Sequence, residues 1–214
     1  MTAEASPEPR WPASLAVVAA LLLYVTLPDK LTFGPTWPVA ALEAALLIPL
    51  TVASPHRHHE EPPAARLASV VLIALVNAVN IVSLVLLVHL LLTGGKAEGR
   101  QLIVSSIQIW LTNVLIFGLW YWEIDRGGPG ARTAGGSRTA DFLFPQMAQP
   151  ALASRGWRPG FVDYLYVSLT NATAFSPTDT MPLTRAAKAL MGIQCLVSLI
   201  TVALVAARAV NILS

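Results

Sequence analysis

Several side chains in this sequence that could do chemistry lie within long apolar stretches. Glu43 stands in the middle of VAALEAALL, and amide side chains recur at helical spacing farther along the chain. An ionised side chain near the centre of a bilayer costs about 2.5–3.5 kcal/mol on insertion scales, so polar residues at such positions are informative. The candidate intramembrane polar residues are Glu43, Asn77, Asn80, Gln108, Asn113, Asn171 and Gln194.

Each of these residues admits a functional and a structural interpretation. Glu43 is either a proton site on an ion path or a neutral carboxyl packed against another helix. The amides, with nearby serines and threonines, form either a polar conduit or interhelical hydrogen bonds that contribute roughly 0.6 kcal/mol each. Hydrogen bonding between helices is the commoner use of such residues, and the sequence favours it for the amides.

Other chemistry has little support in the sequence. The loop HRHHEE at 56–61 combines histidine with glutamate but lacks the ligand spacing of a metal framework, so no metal site and no cofactor are predicted. The single cysteine, Cys195, excludes an internal disulfide. The sequence contains no phosphate-binding loop, nucleophile elbow or paired-carboxylate motif, so we do not expect an enzyme.

The composition is that of a chain embedded in lipid. Hydrophobic residues make up 55% of the 214 residues and the mean hydropathy is +0.61. Charged residues make up 12%, whereas a typical soluble domain has about 25%. The net charge of +2 gives no strong field for a polyanion, so nucleic acid is excluded as a partner. We predict a multi-pass protein of the cell membrane, with membrane lipids as partners.

Five apolar stretches are candidates for membrane-spanning helices, at 12–27, 37–52, 66–92, 101–122 and 183–212. Segments rich in proline, glycine and charge separate most of them. None shows strand alternation, and lipid excludes open sheets, so helices are expected. Trp120, Tyr121 and Trp122 are predicted to form an aromatic belt at the membrane interface.

The connection between the fourth and fifth stretches is unusually informative. Residues 123–140 are rich in glycine and arginine and are predicted to form a flexible loop, and 141–160 carry apolar anchors for the membrane surface. The run FVDYLYVSLTNATA at 161–174 is too short to span a bilayer, and FSPTD ends it. A short apolar helix followed by a polar extended stretch predicts a re-entrant helix, which must be buried by protein or line a cavity.

The sequence from 163 onward, DYLYVSLTNATAFSPTD followed by TMPLTR, resembles the pore helix and filter of the potassium-channel superfamily. In that family, a helix with aromatic and hydroxyl residues leads into TVGYGD, a short turn and an inner helix. The resemblance covers about residues 157–213. The matching positions are Ser168, Leu169, Thr170 and Thr173 in the helix, Asp179 after the filter, and Pro182, Thr184 and Arg185 in the turn.

The filter itself departs from the family pattern. The pore- and filter-like residues are Thr173, Ala174, Phe175, Ser176, Pro177, Thr178 and Asp179. Both family glycines, which allow the backbone angles that aim carbonyls at an ion, are absent. Pro177 also fixes its own φ and removes a donor. The resemblance therefore implies channel architecture without a standard potassium-selective filter.

The same region is similar to an uncharacterised family of bacterial multi-pass membrane proteins. The matching pieces are Gly127 and Gly128, DFLFP at 141–145, the run at 163–170, and VNI at 210–212. This similarity implies the same C-terminal plan and no particular activity.

Together these patterns predict an all-α integral membrane protein with five transmembrane helices and one re-entrant pore-type helix between the fourth and fifth. The chain divides into a polar head at 1–11, a three-helix part at 12–100 and a channel-like module at 101–214, with the re-entrant helix at 161–174 and the last helix at 183–212. The leading hypothesis is an ion-channel-like protein. Since each chain supplies one pore loop, a pore needs a homo-oligomer, of four copies by analogy. The alternative is a non-conducting structural or partner-binding protein, and a transporter or membrane enzyme using Glu43 is less favoured.

Two arguments about membrane orientation conflict. The channel analogy places the re-entrant loop on the outside. The positive-inside rule favours the opposite orientation, because the loop at 123–160 carries five arginines. The sequence leaves the orientation open.

Overall fold

A computed structural model describes residues 11–32, 34–38, 40–42, 45, 63–93, 99–133, 139–154, 156–174 and 179–213. Its helices are α1 (Trp11–Val25), α2 (Pro63–Leu92), α3 (Gly99–Ile124), α4 (Pro129–Thr133), α5 (Pro145–Ala148), α6 (Phe161–Ala174) and α7 (Arg185–Leu213). Two short strands are β1 (Phe142–Leu143) and β2 (Met181–Pro182). Short 3₁₀ turns occupy Asp29–Leu31, Asp125–Gly127 and Pro150–Leu152.

The chain is a mostly helical membrane protein. Within the described residues, three helical segments are long and apolar enough to cross a bilayer, at Ala64–Leu92, Gly99–Gly127 and Arg185–Arg208. They match the predicted third, fourth and fifth spans. The predicted first span corresponds to α1, an apolar helix of 15 residues, whereas most of the second, including Glu43, lies outside the described residues.

Helix α3 is the centre of the described structure. Of its apolar window 61% is buried, against 39% for α2 and 22% for α7. It packs against α1, α2, α6 and α7, so apolar residues lie on several of its faces. Helix α7, by contrast, buries one stripe at Ala187, Met191, Gln194, Ser198 and Thr201, and its other described side chains are half-buried or exposed. The spacing of that stripe, three or four residues, is that of one helix face.

The connection predicted as a flexible loop begins with ordered structure. Helix α3 continues to Ile124, and a tight turn and α4 follow it. The turn uses left-handed backbone at Arg126 (φ 54°) and at Gly128 (φ 98°). A Cβ at Gly128 would lie 3.2 Å from the Glu123 carbonyl oxygen, so glycine is required there for both conformation and space.

The apolar anchors of this connection are buried in the protein, which corrects their predicted place on the membrane surface. Phe142 and Phe144 are 0% and 3% exposed. Their rings pack edge-on or tilted against those of Tyr121, Tyr164 and Trp157, with centroids 5.2–6.2 Å apart. Such aromatic contacts add to the area that burial removes from solvent, so the anchors fasten the connection to α3 and α6.

The strands bring distant parts of the chain together on either side of α6. Strand β1 precedes α6, β2 follows it, and the two pair antiparallel with Phe142 opposite Pro182 and Leu143 opposite Met181. Leu183 N also donates a hydrogen bond to Asp141 O. The chain therefore returns, after α6, to the place from which it approached that helix.

Candidate functional site

The candidate site is a network of buried polar side chains on α3, α6 and α7. Helix α6 buries one face, which carries both apolar and polar residues: Phe161, Tyr164, Val167, Ser168, Asn171 and Ala172. Their spacing of three and four residues is that of one helix face, which explains why the polar and apolar members are buried together. Gly118 on α3 permits close packing here, since a Cβ at that position would lie 3.2 Å from Leu165 Cα.

Gln194 on α7 connects the network. Its amide nitrogen donates to Ser168 O (3.0 Å) and Ser168 Oγ (2.6 Å). Its amide oxygen accepts from Tyr121 OH (2.5 Å) and Asn171 Nδ2 (2.7 Å). Gln194 is 0% exposed, and every hydrogen-bonding group of its side chain has a partner, as a buried amide requires.

Neighbouring groups complete the attachment of α6. Ser168 Oγ donates to Val114 O on α3 (2.6 Å), and Asn171 Nδ2 donates to Met191 O on α7 (3.1 Å). Cys195 Sγ lies 3.2 Å from Asn171 Oδ1 and donates to it. Helix α6 is thus hydrogen-bonded to α3 and α7 of the same chain.

The other intramembrane residues predicted from the sequence have different surroundings. Asn113 Nδ2 donates to Ser198 Oγ (3.0 Å) between α3 and α7, and Gln108 Nε2 donates to Thr26 Oγ1 (2.8 Å) next to α1. Asn80 is buried, and its amide nitrogen has no partner among the described residues. Asn77 is half-buried. The structure brings Asn113, Asn171 and Gln194 into contacts between α3, α6 and α7, and it does not join Asn77, Asn80 or Gln108 to them.

A second network fixes the ends of α3, α6 and α7 and was missed in the sequence analysis. Asp125, 0% exposed, accepts hydrogen bonds from Asp141 N (2.7 Å), Phe142 N (3.3 Å) and Tyr164 OH (2.6 Å). Asp141 in turn accepts from Arg126 N (3.1 Å) and Thr184 Oγ1 (2.5 Å). These two carboxylates join the end of α3 to β1, α6 and the start of α7.

Arg132 caps the C-terminal end of α3. Its guanidinium donates to Trp122 O (2.6 Å) and Asp125 O (2.9 Å), which are carbonyls at the C-terminus of the helix. The same group lies over the rings of Tyr164 and Trp122, 5.1 and 5.9 Å from their centroids. A cation in this position stabilises the negative end of the helix dipole.

Two residues predicted to form an interfacial belt are buried in the protein instead. Tyr121 and Trp122 are 0% and 5% exposed. Tyr121 donates to Gln194, and Trp122 packs edge-on against Phe161. The aromatic cluster thus belongs to the packing of α3 against α6, because the connection after α3 folds back over it.

The filter-like residues are only partly described. Thr173 and Ala174 are exposed at the end of α6, where Thr173 Oγ1 donates to Leu169 O (2.9 Å). Phe175, Ser176, Pro177 and Thr178 lie outside the described residues. Asp179 is exposed and lines a cleft beside α6.

The cleft beside α6 contains a second acidic group. Asp163 lines it together with Asp179. Partial burial raises the pKa of the Asp163 carboxyl above its ordinary value, and the hydrogen bond that it accepts from Gly160 N (2.8 Å) acts in the opposite direction. Among the described residues, no three His, Cys, Asp or Glu side chains cluster as ligands for a bare metal ion.

No family model, curated protein or solved structure matches this chain. The fold and the buried network therefore define its class, which is a mostly helical membrane protein with interhelical hydrogen bonds in its core. The more specific function has to be argued from the geometry.

Proposed function

We propose that the chain is a channel-like protein of the bacterial cell membrane in which α6 is a re-entrant pore-type helix. The observation that carries this proposal is the pairing of β1 with β2, which holds the two ends of the α6 segment together. A segment whose ends meet has both ends on one side of the membrane, so α6 cannot be a single crossing between them. It either dips in and returns or stays at the surface, and the position of α6 favours the first.

The length and neighbours of α6 support insertion from one side. Its 14 residues span about 21 Å at 1.5 Å per residue, less than the roughly 30 Å of a hydrocarbon core. Ser168 and Asn171 contact Val114 on α3 and Met191 on α7, several residues inside both long helices. Protein groups thus satisfy the polar side chains of α6, as burial at membrane depth requires.

In this proposal α7 is the inner helix, and several copies of the chain surround a pore. Four copies is the number suggested by the resemblance to potassium channels, and α2, α3 and α7 are the spans that we assign to each copy. Helix α1, with 15 residues, is only one residue longer than α6 and is not counted as a span. Helix α7 supports this arrangement because, among the described residues, only one stripe of it is fully buried and the rest is half-buried or exposed. The filter-like residues Ala174, Phe175, Ser176, Pro177 and Thr178 lack glycine, so we do not expect standard potassium selectivity.

Reconstitution into vesicles tests conduction. We expect cation flux above that of empty vesicles, and we expect Gln194→Leu to lower it because the variant removes the hydrogen bonds between Gln194 and α6. Gln101→Leu makes the same chemical change at an exposed position on α3 and is expected to leave flux unchanged. Absence of flux from the unchanged protein across a range of pH and voltage would refute the channel proposal.

One observation favours a second candidate, a non-conducting structural or partner-binding protein. The buried polar side chains of α6, Ser168 and Asn171, are all engaged by the chain's own α3 and α7. A helix held in this way needs no hydrogen-bond partner from a second copy of the chain. Native mass spectrometry separates the candidates, since a pore requires an oligomer, and a stable monomer without flux supports the second.

A further inference from the structure

An exposed stripe of α7 runs from two cations to a row of apolar side chains. Its members are spaced by three or four residues, which places them on one helix face. They are Arg185, Lys188, Gly192, Leu196, Leu199 and Ala203. Leu196 and Leu199 are 61% and 51% exposed. The described residues therefore leave this face of α7 open to its surroundings.

The two cations of the stripe have no anionic partner in the described part of the chain. Neither Arg185 nor Lys188 forms an ion pair with a described residue, and both are exposed. Both lie in the first turn of α7, where the positive end of the helix dipole disfavours a cation. The helix itself therefore gains nothing from these charges, whereas a negative charge outside the chain would attract both of them.

The position of the cations along α7 corresponds to the headgroup level of a membrane. The part of α7 that is apolar enough to cross a bilayer begins at Arg185 and ends at Arg208. Lipid headgroups lie directly outside the hydrocarbon core, so a cation in the first turn of a span is within reach of lipid phosphate. Lysine and arginine at this level attract anionic lipids.

The apolar part of the stripe has the length of one lipid tail. From Lys188 to Leu199 the helix rises about 16 Å at 1.5 Å per residue, and the hydrocarbon of one leaflet is about 15 Å thick. Gly192 lies between them, and a Cβ at that position would have nothing within 4 Å. The surface is therefore unfilled directly below the cations, where a tail would enter the leaflet.

We infer that this stripe of α7 binds one anionic phospholipid. Arg185 and Lys188 hold its headgroup phosphate, and one tail lies over Gly192 along the apolar part. A zwitterionic headgroup binds less well because its own ammonium offsets the attraction. Ile193 and Ile200, also exposed, lie on another side of α7, which stays free for the contacts between copies that a pore requires. Lipid binding does not depend on conduction, so its failure would leave the proposed function unaffected.

Native mass spectrometry of the purified full chain in detergent, titrated with phosphatidylglycerol or phosphatidylcholine, tests this inference. We expect one phosphatidylglycerol to bind each chain at least about 5-fold more tightly than phosphatidylcholine. Arg185→Gln and Lys188→Gln should each weaken phosphatidylglycerol binding about 5-fold, the effect expected of one cation near an anionic lipid surface. Neither variant should change the affinity for phosphatidylcholine.

Arg158→Gln is the matched control, because it removes an exposed cation outside the stripe and should leave both affinities unchanged. All three variants change exposed side chains and are expected to fold, which thermal unfolding verifies. Equal affinity of the unchanged chain for the two lipids would overturn the inference. An equal loss in Arg158→Gln would do so as well, since it would indicate diffuse attraction rather than a site.

Two other occupants of the stripe give different results in the same experiment. Displacement of the lipid by inorganic phosphate would indicate an anion site that makes no use of the tail. An oligomer that carries no phosphatidylglycerol would indicate that another copy of the chain covers the stripe. Either result would overturn the inference.

Discussion

Gln194 joins three helices through a single amide group. It donates twice to Ser168 and accepts from Tyr121 and Asn171, all of them buried. Each hydrogen bond between membrane helices has a modest net value, but removing one partner leaves the others without water to replace it. Removing one member of the network therefore lowers the stability of the fold by more than a single hydrogen bond contributes.

Gln194→Leu is expected to destabilise the chain by about 1–3 kcal/mol, because Ser168, Tyr121 and Asn171 lose a buried partner. Reversible unfolding in mixed detergent measures the change. Gln101→Leu, at an exposed position on α3, serves as the matched control and should shift stability by less than about 0.5 kcal/mol. Equal effects of the two substitutions would contradict the role assigned to Gln194.

Asp163 should make stability depend on pH. Its pKa in the folded chain is raised by burial above the ordinary value of 3.8, so the folded state favours the neutral form. The contribution of Asp163 is fully present below pH 3.8 and is lost as the pH rises through the higher folded pKa. The unfolding midpoint of the unchanged protein should therefore fall over this window relative to that of Asp163→Asn. A constant difference between the two midpoints would show that Asp163 does not titrate in this way.

The sequence pattern identified several of the buried polar residues but not the groups to which they are hydrogen-bonded. Asn113, Asn171 and Gln194 are recognisable because an amide within an apolar stretch is rare. Asp125 and Asp141 stand in a polar connection where acidic residues are ordinary, so nothing marks them as buried. Their partners lie 15 to 43 residues away and meet them only through the fold.

Among the helices, α6 is the one that the sequence predicted with the same bounds that the structure gives, 161–174. Its apolar periodicity and the FSPTD sequence after it are local, and local patterns suffice for a helix. The pairing of β1 with β2 was not predicted. Each strand has two residues and no alternation to recognise, and the pairing depends on the packing of α6 between α3 and α7.

The contact between α3 and α6 depends on Gly118. Alanine there would place a Cβ 3.2 Å from the Leu165 backbone, and such overpacking costs about 1–3 kcal/mol. Gly192 on α7 has nothing within 4 Å of the same position, so Gly192→Ala should instead gain about 0.5–1 kcal/mol from helix propensity. Thermal unfolding of both variants measures the difference in their stability. A stabilising Gly118→Ala would show that α6 does not approach α3 this closely.

For the molecule as a whole, the hairpin around α6 is open to a direct covalent test. Leu143 and Met181 are opposite each other in the strand pair, so their Cα atoms lie within reach of a disulfide. In a Cys195→Ser background, Leu143→Cys with Met181→Cys should crosslink readily in membranes, as judged by mass spectrometry after proteolysis. Leu143→Cys with Leu183→Cys is two residues off register and should crosslink poorly. Equal yields would mean that the two ends of the segment do not meet in this register.

The bond between Asn113 and Ser198 has a consequence for biosynthesis. The two residues are 85 positions apart in the chain. At about 5–20 residues per second, a ribosome delivers the serine roughly 4–17 s after the asparagine. During that interval α3 has entered the insertion machinery. The Asn113 amide does not yet have its partner on α7, and the Val114 carbonyl does not yet have its partner on α6. We expect α3 of a nascent chain halted between the two residues to lack the Asn113–Ser198 hydrogen bond, which forms only after α7 has been inserted.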